Sequence, residues 1–142
     1  MSSATLSVWD PASELDPRDV VDLYNSVGWS AYTDHPKELM DGLRGSLRVI
    51  LARDADRLVG LARVIGDGAM ICYLQDVLVY PDVRRQGLGR RLVEEVFAPF
   101  SAVRQHVLIT DLEAGQKAFY ESLGFTQLGT SIPGRAFVRF NA

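Results

Sequence analysis

With a single cysteine, Cys72, in 142 residues, the chain can form neither an internal disulfide nor a multi-cysteine metal site, so no metal is expected and a reducing cytoplasm fits best. Positive charge is not in excess either: 15 Lys and Arg face 18 Asp and Glu, a net charge of −3. That balance argues against general nucleic-acid binding, which needs a basic face to displace counterions from phosphates. No run of about 18 apolar residues occurs, and the opening MSSATLSVWDP lacks the basic-then-apolar order of a signal peptide, so neither a membrane partner nor secretion is expected. Repeats, low-complexity tracts and a linker are absent as well. What is present is an ordinary globular composition, 47% hydrophobic and 23% charged, and its length suits one domain spanning residues 1–142 around one core.

Along the chain, residues 6–9 read as a short strand. Asp16 before Pro17 reads as an N-cap with proline at the first helical position, followed by Val20, Val21, Leu23, Tyr24 and Val27 at helical spacing and by Gly28 as a stop. Pro36 opens a second short helix, and residues 29–35 link the two. LRVILARD and LVGLARVIGDG, separated by a turn at residues 54–57, and then ICYLQDVLVY read as three antiparallel strands. After Pro81 the pattern is glycine-punctuated, then helical, with Leu88, Leu92, Val93, Val96 and Phe97 on one stripe. HVLIT at 106–110 is a buried strand, and the order strand, helix, strand implies a crossover to a parallel neighbour. A last helix over residues 113–123 stops at Gly124, and FTQL with AFVRF is expected to close the sheet as a hairpin.

The stretch DVLVYPDVRRQGLGRRL joins a strand, a turn and a glycine-rich helix start without a gap, an arrangement suited to phosphate. N–H groups at a helix start lack intrahelical acceptors and sit at the positive end of the dipole. Gly87 and Gly89 remove side chains that would hold a pyrophosphate off, and Arg84, Arg85 and Arg90 add charge. A solvated turn with solvated arginines is the bland reading; the strand before and amphipathic helix after it weigh against that. A Rossmann site needs a third glycine and a later acidic residue, and a P-loop needs a Gly-Lys-Ser/Thr ending; neither fits.

Arg84-Arg85-Gln86-Gly87-Leu88-Gly89 resembles the Arg/Gln-x-x-Gly-x-Gly/Ala signature of the GNAT superfamily of N-acetyltransferases, and Phe119-Tyr120-Glu121-Ser122-Leu123-Gly124-Phe125 resembles that family's second signature. The resemblance covers residues 47–125. It implies an α/β (α+β) fold with a mixed, mostly antiparallel central sheet flanked by helices and a parallel strand pair splayed to admit coenzyme A. It further implies acetyl-CoA as cosubstrate, with an acetyl group transferred to a primary amine by direct attack in a ternary complex. Val77, Leu78 and Val79 would pair with the pantetheine arm. Arg84, Arg85, Gln86, Gly87, Leu88, Gly89 and Arg90 would hold the pyrophosphate. Tyr120 would be the acid toward the departing thiolate. The sequence departs from the family where many relatives carry an asparagine and this chain has Glu113, which cannot donate an amide hydrogen bond.

For the base, Asp76 stands out because a carboxylate inside an apolar run is costly unless paired or functional; a structural carboxylate bonded to arginine or backbone is the competing reading. Tyr73 and Gln75 could hold a water chain to the amine. Tyr32 and Asp34, with the loop 129–135, are expected to line the acceptor side. Small-molecule amines and lysine or N-terminal amines are the partner classes implied, and AFVRF could pair across a homodimer. Two alternatives are a coenzyme-binding module without turnover and an acyltransferase using a longer acyl chain or a hydroxyl acceptor.

Overall fold

The computed structural model describes residues 4–84 and 86–141. Its contacts group into two units, Met1–Ile109 and Thr110–Ala142.

In the first unit, five strands lie side by side in chain order: β1 (Thr5–Val8), β2 (Arg48–Asp54), β3 (Arg57–Gly66), β4 (Ile71–Val79) and β5 (Gln105–Leu108). β1 through β4 pair antiparallel, and β5 joins β4 in parallel. α4 (Leu88–Phe97) makes that crossover and packs on β2, β3 and β4. Its buried stripe is Leu88, Leu92, Val93, Val96 and Phe97, as the 3.6-residue spacing predicts. The fold is thus the mixed, mostly antiparallel sheet flanked by helices that the sequence leads one to expect.

The opposite face of the sheet carries α1 (Pro17–Ser26) and α3 (Pro36–Arg44), joined by the single turn α2 (Ser30–Thr33). Asp16 caps α1 by accepting from the Arg18 N–H at 2.9 Å. At the other end, the Gly28 N–H donates to the Asn25 carbonyl and the Trp29 N–H to the Tyr24 carbonyl, with Gly28 at φ +79. That is a Schellman ending, and its apolar contact is Trp29 on Tyr24, ring centroids 5.8 Å apart. Val20, Leu23 and Tyr24 then bury against Leu39, Met40 and Leu43 of α3 and against Val49, Leu51, Leu61 and Leu78 of the sheet.

β4 carries one extra residue. Arg63 lies opposite Asp76 but Val64 opposite Leu74, so Gln75 is a bulge. Cross-strand partners share a face, and Gly60, whose ideal Cβ would sit 3.1 Å from Leu92 Cδ1, marks the α4 side. Leu74 and Val77 therefore face α4. Asp76, opposite Arg63, faces α1 and α3. Without the bulge, residues 74 and 76 would point the same way.

In the second unit, α5 (Gln116–Ser122) begins at Gly115, φ +92, rather than at Glu113. Asp111 accepts from the Glu113 N–H, which makes residues 111–113 an Asx turn and delays the helix. Beyond residue 125 the expected hairpin of FTQL and AFVRF is not formed. Residues 126–141 contain no strand and only one isolated bridge, Leu128 with Ile132, closed by the Gly129 N–H on the Ile132 carbonyl. Pro133 lacks an N–H and Gly134 takes φ +154, two local choices that interrupt a ladder. Residues 129–135 are accordingly a turn and its exit, not the tip of a hairpin.

Candidate functional site

Pairing between β4 and β5 runs from Ile71 with Gln105 to Leu74 with Leu108 and then stops. Among the described residues, no strand covers that edge of β4 at residues 75–79. Which backbone groups it presents follows from one hydrogen bond. The Tyr80 N–H donates to the Val59 carbonyl at 3.0 Å, so alternation along an antiparallel pair turns the N–H and C=O of Leu78 toward β3 and those of Val77 and Val79 away from it. Val77 and Val79 thus offer donors and acceptors at an open edge, while the Leu78 side chain sits in the core.

A 3-10 turn at Pro81–Val83 follows and leads to the start of α4. Arg57 clamps the turn: its guanidinium lies 4.4 Å over the Tyr80 ring and meets both Asp82 oxygens at 3.0 and 3.3 Å. Gly87 is the N-cap, at φ +72, with no side-chain cap. The first intrahelical bond runs from the Arg91 N–H to the Gly87 carbonyl at 3.1 Å, so the N–H groups of Leu88 and Gly89 precede the ladder. Among the described residues, a Cβ built on Gly87 meets nothing within 4 Å. Arg84 and Gln86 are exposed, Gly89 is half-buried, and Arg90 reaches Glu94 at 3.6 Å. Arg85 lies outside the described residues. An open edge with outward amides, leading to an uncapped helix start behind a left-handed glycine, suits a ligand with an amide-bearing arm and a pyrophosphate.

Polar side chains gather on the other side of β4. Asp76, 2% exposed, accepts on Oδ2 from Arg63 Nε–H at 2.5 Å and from the Tyr24 hydroxyl at 2.9 Å. The Arg63 Nη1 also donates to the Gly42 carbonyl and the Ser46 hydroxyl, both at 3.2 Å. Burial, with the Asp76 charge next to it, pushes the Tyr24 phenol well above its ordinary range. Gln75, released outward by the bulge, donates from Nε2 to the Tyr32 hydroxyl at 2.9 Å. Tyr24, Trp29 and Tyr32 are in mutual ring contact, centroids 5.5 to 6.0 Å apart. Burial followed by Asp76 raises the phenols of Tyr32 and Tyr73 too, so all three stay neutral donors at ordinary pH.

Of the residues chosen from sequence, the structure brings Tyr32, Gln75 and Asp76 into this one cluster, with Tyr73 half-buried on the same strand. Asp34 stands exposed at the end of α2. Sequence reasoning passed over Arg63 and Tyr24. For Arg63 a signal was available: it is the one charge inside LVGLARVIG, as Asp76 is inside ICYLQDVLV. His106 is held by the Phe100 carbonyl at 2.8 Å and stacked on Phe97, and His35 is exposed.

In the second unit, α5 ends as α1 does. The Gly124 N–H donates to the Glu121 carbonyl and the Phe125 N–H to the Tyr120 carbonyl, with Gly124 at φ +93 and the Phe125 ring edge-on to Tyr120 at 6.1 Å. The signature FYESLGF is therefore a helix end that fixes a tyrosine between Phe119 and Phe125. Tyr120 is buried, its hydroxyl has no hydrogen-bond partner among the described residues, and burial together with the Asp111 charge pushes its phenol up to about 12.

Residues 45–127 match the family described as acetyltransferase (GNAT) domain. The chain belongs to the GNAT family of acetyltransferases. A GNAT-family acetyltransferase from Streptococcus pneumoniae TIGR4 is 32% identical, with TM-score 0.81 over 97% of this chain and 99% of that one. Serotonin N-acetyltransferase 2, chloroplastic, of Oryza sativa subsp. japonica is 34% identical over 60% of this chain and 42% of its own length. The N-acetyltransferase ycf52 of Pyropia yezoensis is 27% identical over 79% of this chain and 66% of its own. The chain thus spans less than two-thirds of these two curated relatives. An aminoglycoside N-acetyltransferase solved in complex with CoA shares the fold, at 15% identity and TM-score 0.73 over 100% of this chain and 97% of that one. Among the described residues, no helix is long and apolar enough to cross a membrane.

Proposed function

We propose that this GNAT domain transfers an acetyl group from acetyl-coenzyme A to a primary amine, on a small molecule or at a lysine or N-terminal position, by direct attack in a ternary complex. The observation that carries the reading is the open edge of β4, which presents the outward amides of Val77 and Val79 and leads directly to the uncapped helix start at Gly87. The cosubstrate supplies an activated thioester, at which a C–N bond forms as the C–S bond breaks, leaving a thiolate and one amine proton to be accommodated.

In this reading Val77 and Val79 pair with the pantetheine amides, and Leu78 keeps them in register from the core. Gly87, Leu88 and Gly89 give backbone donors to the pyrophosphate, and Arg84, Arg85, Gln86 and Arg90 surround it with charge and polar groups. Tyr120 gives the thiolate a hydrogen bond, a role that rests on its signature and on a phenol kept neutral and pre-set by Phe119 and Phe125. Tyr32, Tyr73 and Gln75 form the acceptor wall, with Asp34 at its rim. Asp76 has its Oδ2 bonded to both Arg63 and Tyr24, which suits it to holding that wall rather than to carrying a proton away. The amine proton then leaves through water held by Tyr73 and Gln75. The aromatic trio of Tyr24, Trp29 and Tyr32 favours an amine on a flat or apolar body.

The test is thiol release with acetyl-coenzyme A across aromatic amines, polyamines, aminoglycosides and lysine peptides, beside calorimetry of coenzyme A binding. Turnover on one amine class supports the proposal. Tight coenzyme binding with no thiol released by any acceptor would replace it with the non-catalytic binding module.

A further inference from the structure

Arg63 bonds at once to the sheet, to the last turn of α3 and to the segment after it. We infer that Arg63 is a positioning residue for the acyl acceptor, setting where α1 and α3 stand over the bulged part of β4. The inference rests on the transferase reading above.

Its geometry is specific. The guanidinium spends Nε–H on Asp76 and Nη1 on the carbonyl of Gly42 and the hydroxyl of Ser46, so one planar group spans 34 residues of sequence. Ser46 in turn donates to the Gly42 carbonyl at 2.8 Å, closing a small ring of bonds at the negative end of α3. The guanidinium lies against Gly42, where a Cβ would stand 3.6 Å from Nη1 and 3.9 Å from Cζ, in ordinary van der Waals contact. On its other side Asp76 receives the Tyr24 hydroxyl, and Tyr24 is the residue that α1's Schellman ending locks under Trp29 and beside Tyr32. Tyr32 completes the path back to β4 through Gln75. Movement of Arg63 is therefore transmitted to both rings that face an acceptor, Trp29 and Tyr32. The edge offered to coenzyme, Val77 and Val79, is reached by none of these bonds.

This separation is what the experiment reads. Lysine keeps the charge for Asp76 but cannot present a planar fork to Gly42 and Ser46 as well. Arg63→Lys and Tyr24→Phe are compared with wild type for the Michaelis constants of both substrates and for amide hydrogen exchange. The expected result is an acceptor constant raised roughly five- to twentyfold, an acetyl-coenzyme A constant changed less than about twofold, and kcat at saturating acceptor largely kept. Exchange should speed up at residues 42–46 and at the end of α1. Asp76→Asn, which keeps an acceptor oxygen for Arg63 and Tyr24 but removes the charge, should raise the acceptor constant in the same direction.

Parallel changes in both constants would make Arg63 merely structural and overturn the inference. So would exchange at residues 42–46 unchanged in Arg63→Lys. Loss of turnover in Asp76→Asn together with the acid limb of the pH profile would make Asp76 the base and overturn it too. A wild type that turns over no amine would sink the transferase reading instead, and the exchange comparison would still decide whether Arg63 orders the wall.

Discussion

Replacing Tyr120 by phenylalanine distinguishes a hydrogen bond from a proton transfer. Burial and the Asp111 charge put this phenol at about 12, whereas an ordinary thiol ionises near 8.5. Moving the proton fully from tyrosine to thiolate is thus uphill across a gap of about three to four pH units, or roughly 5 kcal/mol. Donating a hydrogen bond has no such cost, and bonds to a charged acceptor contribute roughly 1.5 to 3 kcal/mol. Tyr120→Phe should therefore lower kcat roughly 10- to 150-fold. Stability should hardly change, because the ring contacts with Phe119 and Phe125 remain and the hydroxyl has no partner among the described residues to lose. Since the neutral phenol persists until pH rises through its folded value, Tyr120 gives no alkaline limb below about pH 10. Thiol release from pH 6 to 10 with both proteins is the assay. A wild-type alkaline limb near pH 8 to 9 that disappears in the variant, or a loss beyond about 10⁴-fold, would refute this reasoning.

Gly87→Val should weaken coenzyme A binding by at least about tenfold in calorimetry, because a β-branched residue at φ +72 costs roughly 1–2 kcal/mol and drives the loop from the conformation that presents its amides. Its melting temperature should fall by about 2–8 °C, because the backbone strain remains although the new side chain meets no described atom. Ala55, the one described non-glycine residue with positive φ, sits in the two-residue turn between β2 and β3, and Ala55→Gly should raise stability by about 1 kcal/mol in urea melts. Asp67 accepts from the N–H groups of Ala69, Met70 and Ile71, which hold its carboxyl below the ordinary 3.8. A lowered folded value gives stability that is complete above about pH 4 and lost as pH falls through the folded value. Asp67→Asn keeps the acceptor oxygen but not the charge, so the fall in stability between about pH 4 and 2 should become shallower.

Much of the ligand-facing half was readable because it is local. The cap at Asp16, the apolar stripe of α4 and the Gly87 helix start each rest on residues within one or two turns of each other. The pairing of Arg63 and Tyr24 with Asp76 was not readable for the opposite reason. Their contacts with Asp76 span 13 and 52 residues, and the face on which Asp76 lies depends on a bulge that no periodicity reveals. Residues 72, 74, 76 and 78 are all buried, as unbroken alternation would have it, yet the first two face α4 and the last two face α1 and α3. Both faces of the strand are covered, so burial alone cannot show the change of side. Across residues 126–141 the apolar residues suggested strands, but Gly129, Pro133 and Gly134 decided the backbone.

Gln75 thereby acts as a half-period phase shift in the middle of β4. Deleting that one residue would leave an unbroken ladder in which Leu74 stays opposite Val64 and Asp76 opposite Arg63, each on the face it holds now. What would go is the Gln75 side chain and with it the bond to the Tyr32 hydroxyl. The bulge is an outward post for one amide, set into a sheet that would pair without it. A single-codon deletion should therefore act as Gln75→Ala does, on the acceptor wall and not on the pairing of the strand.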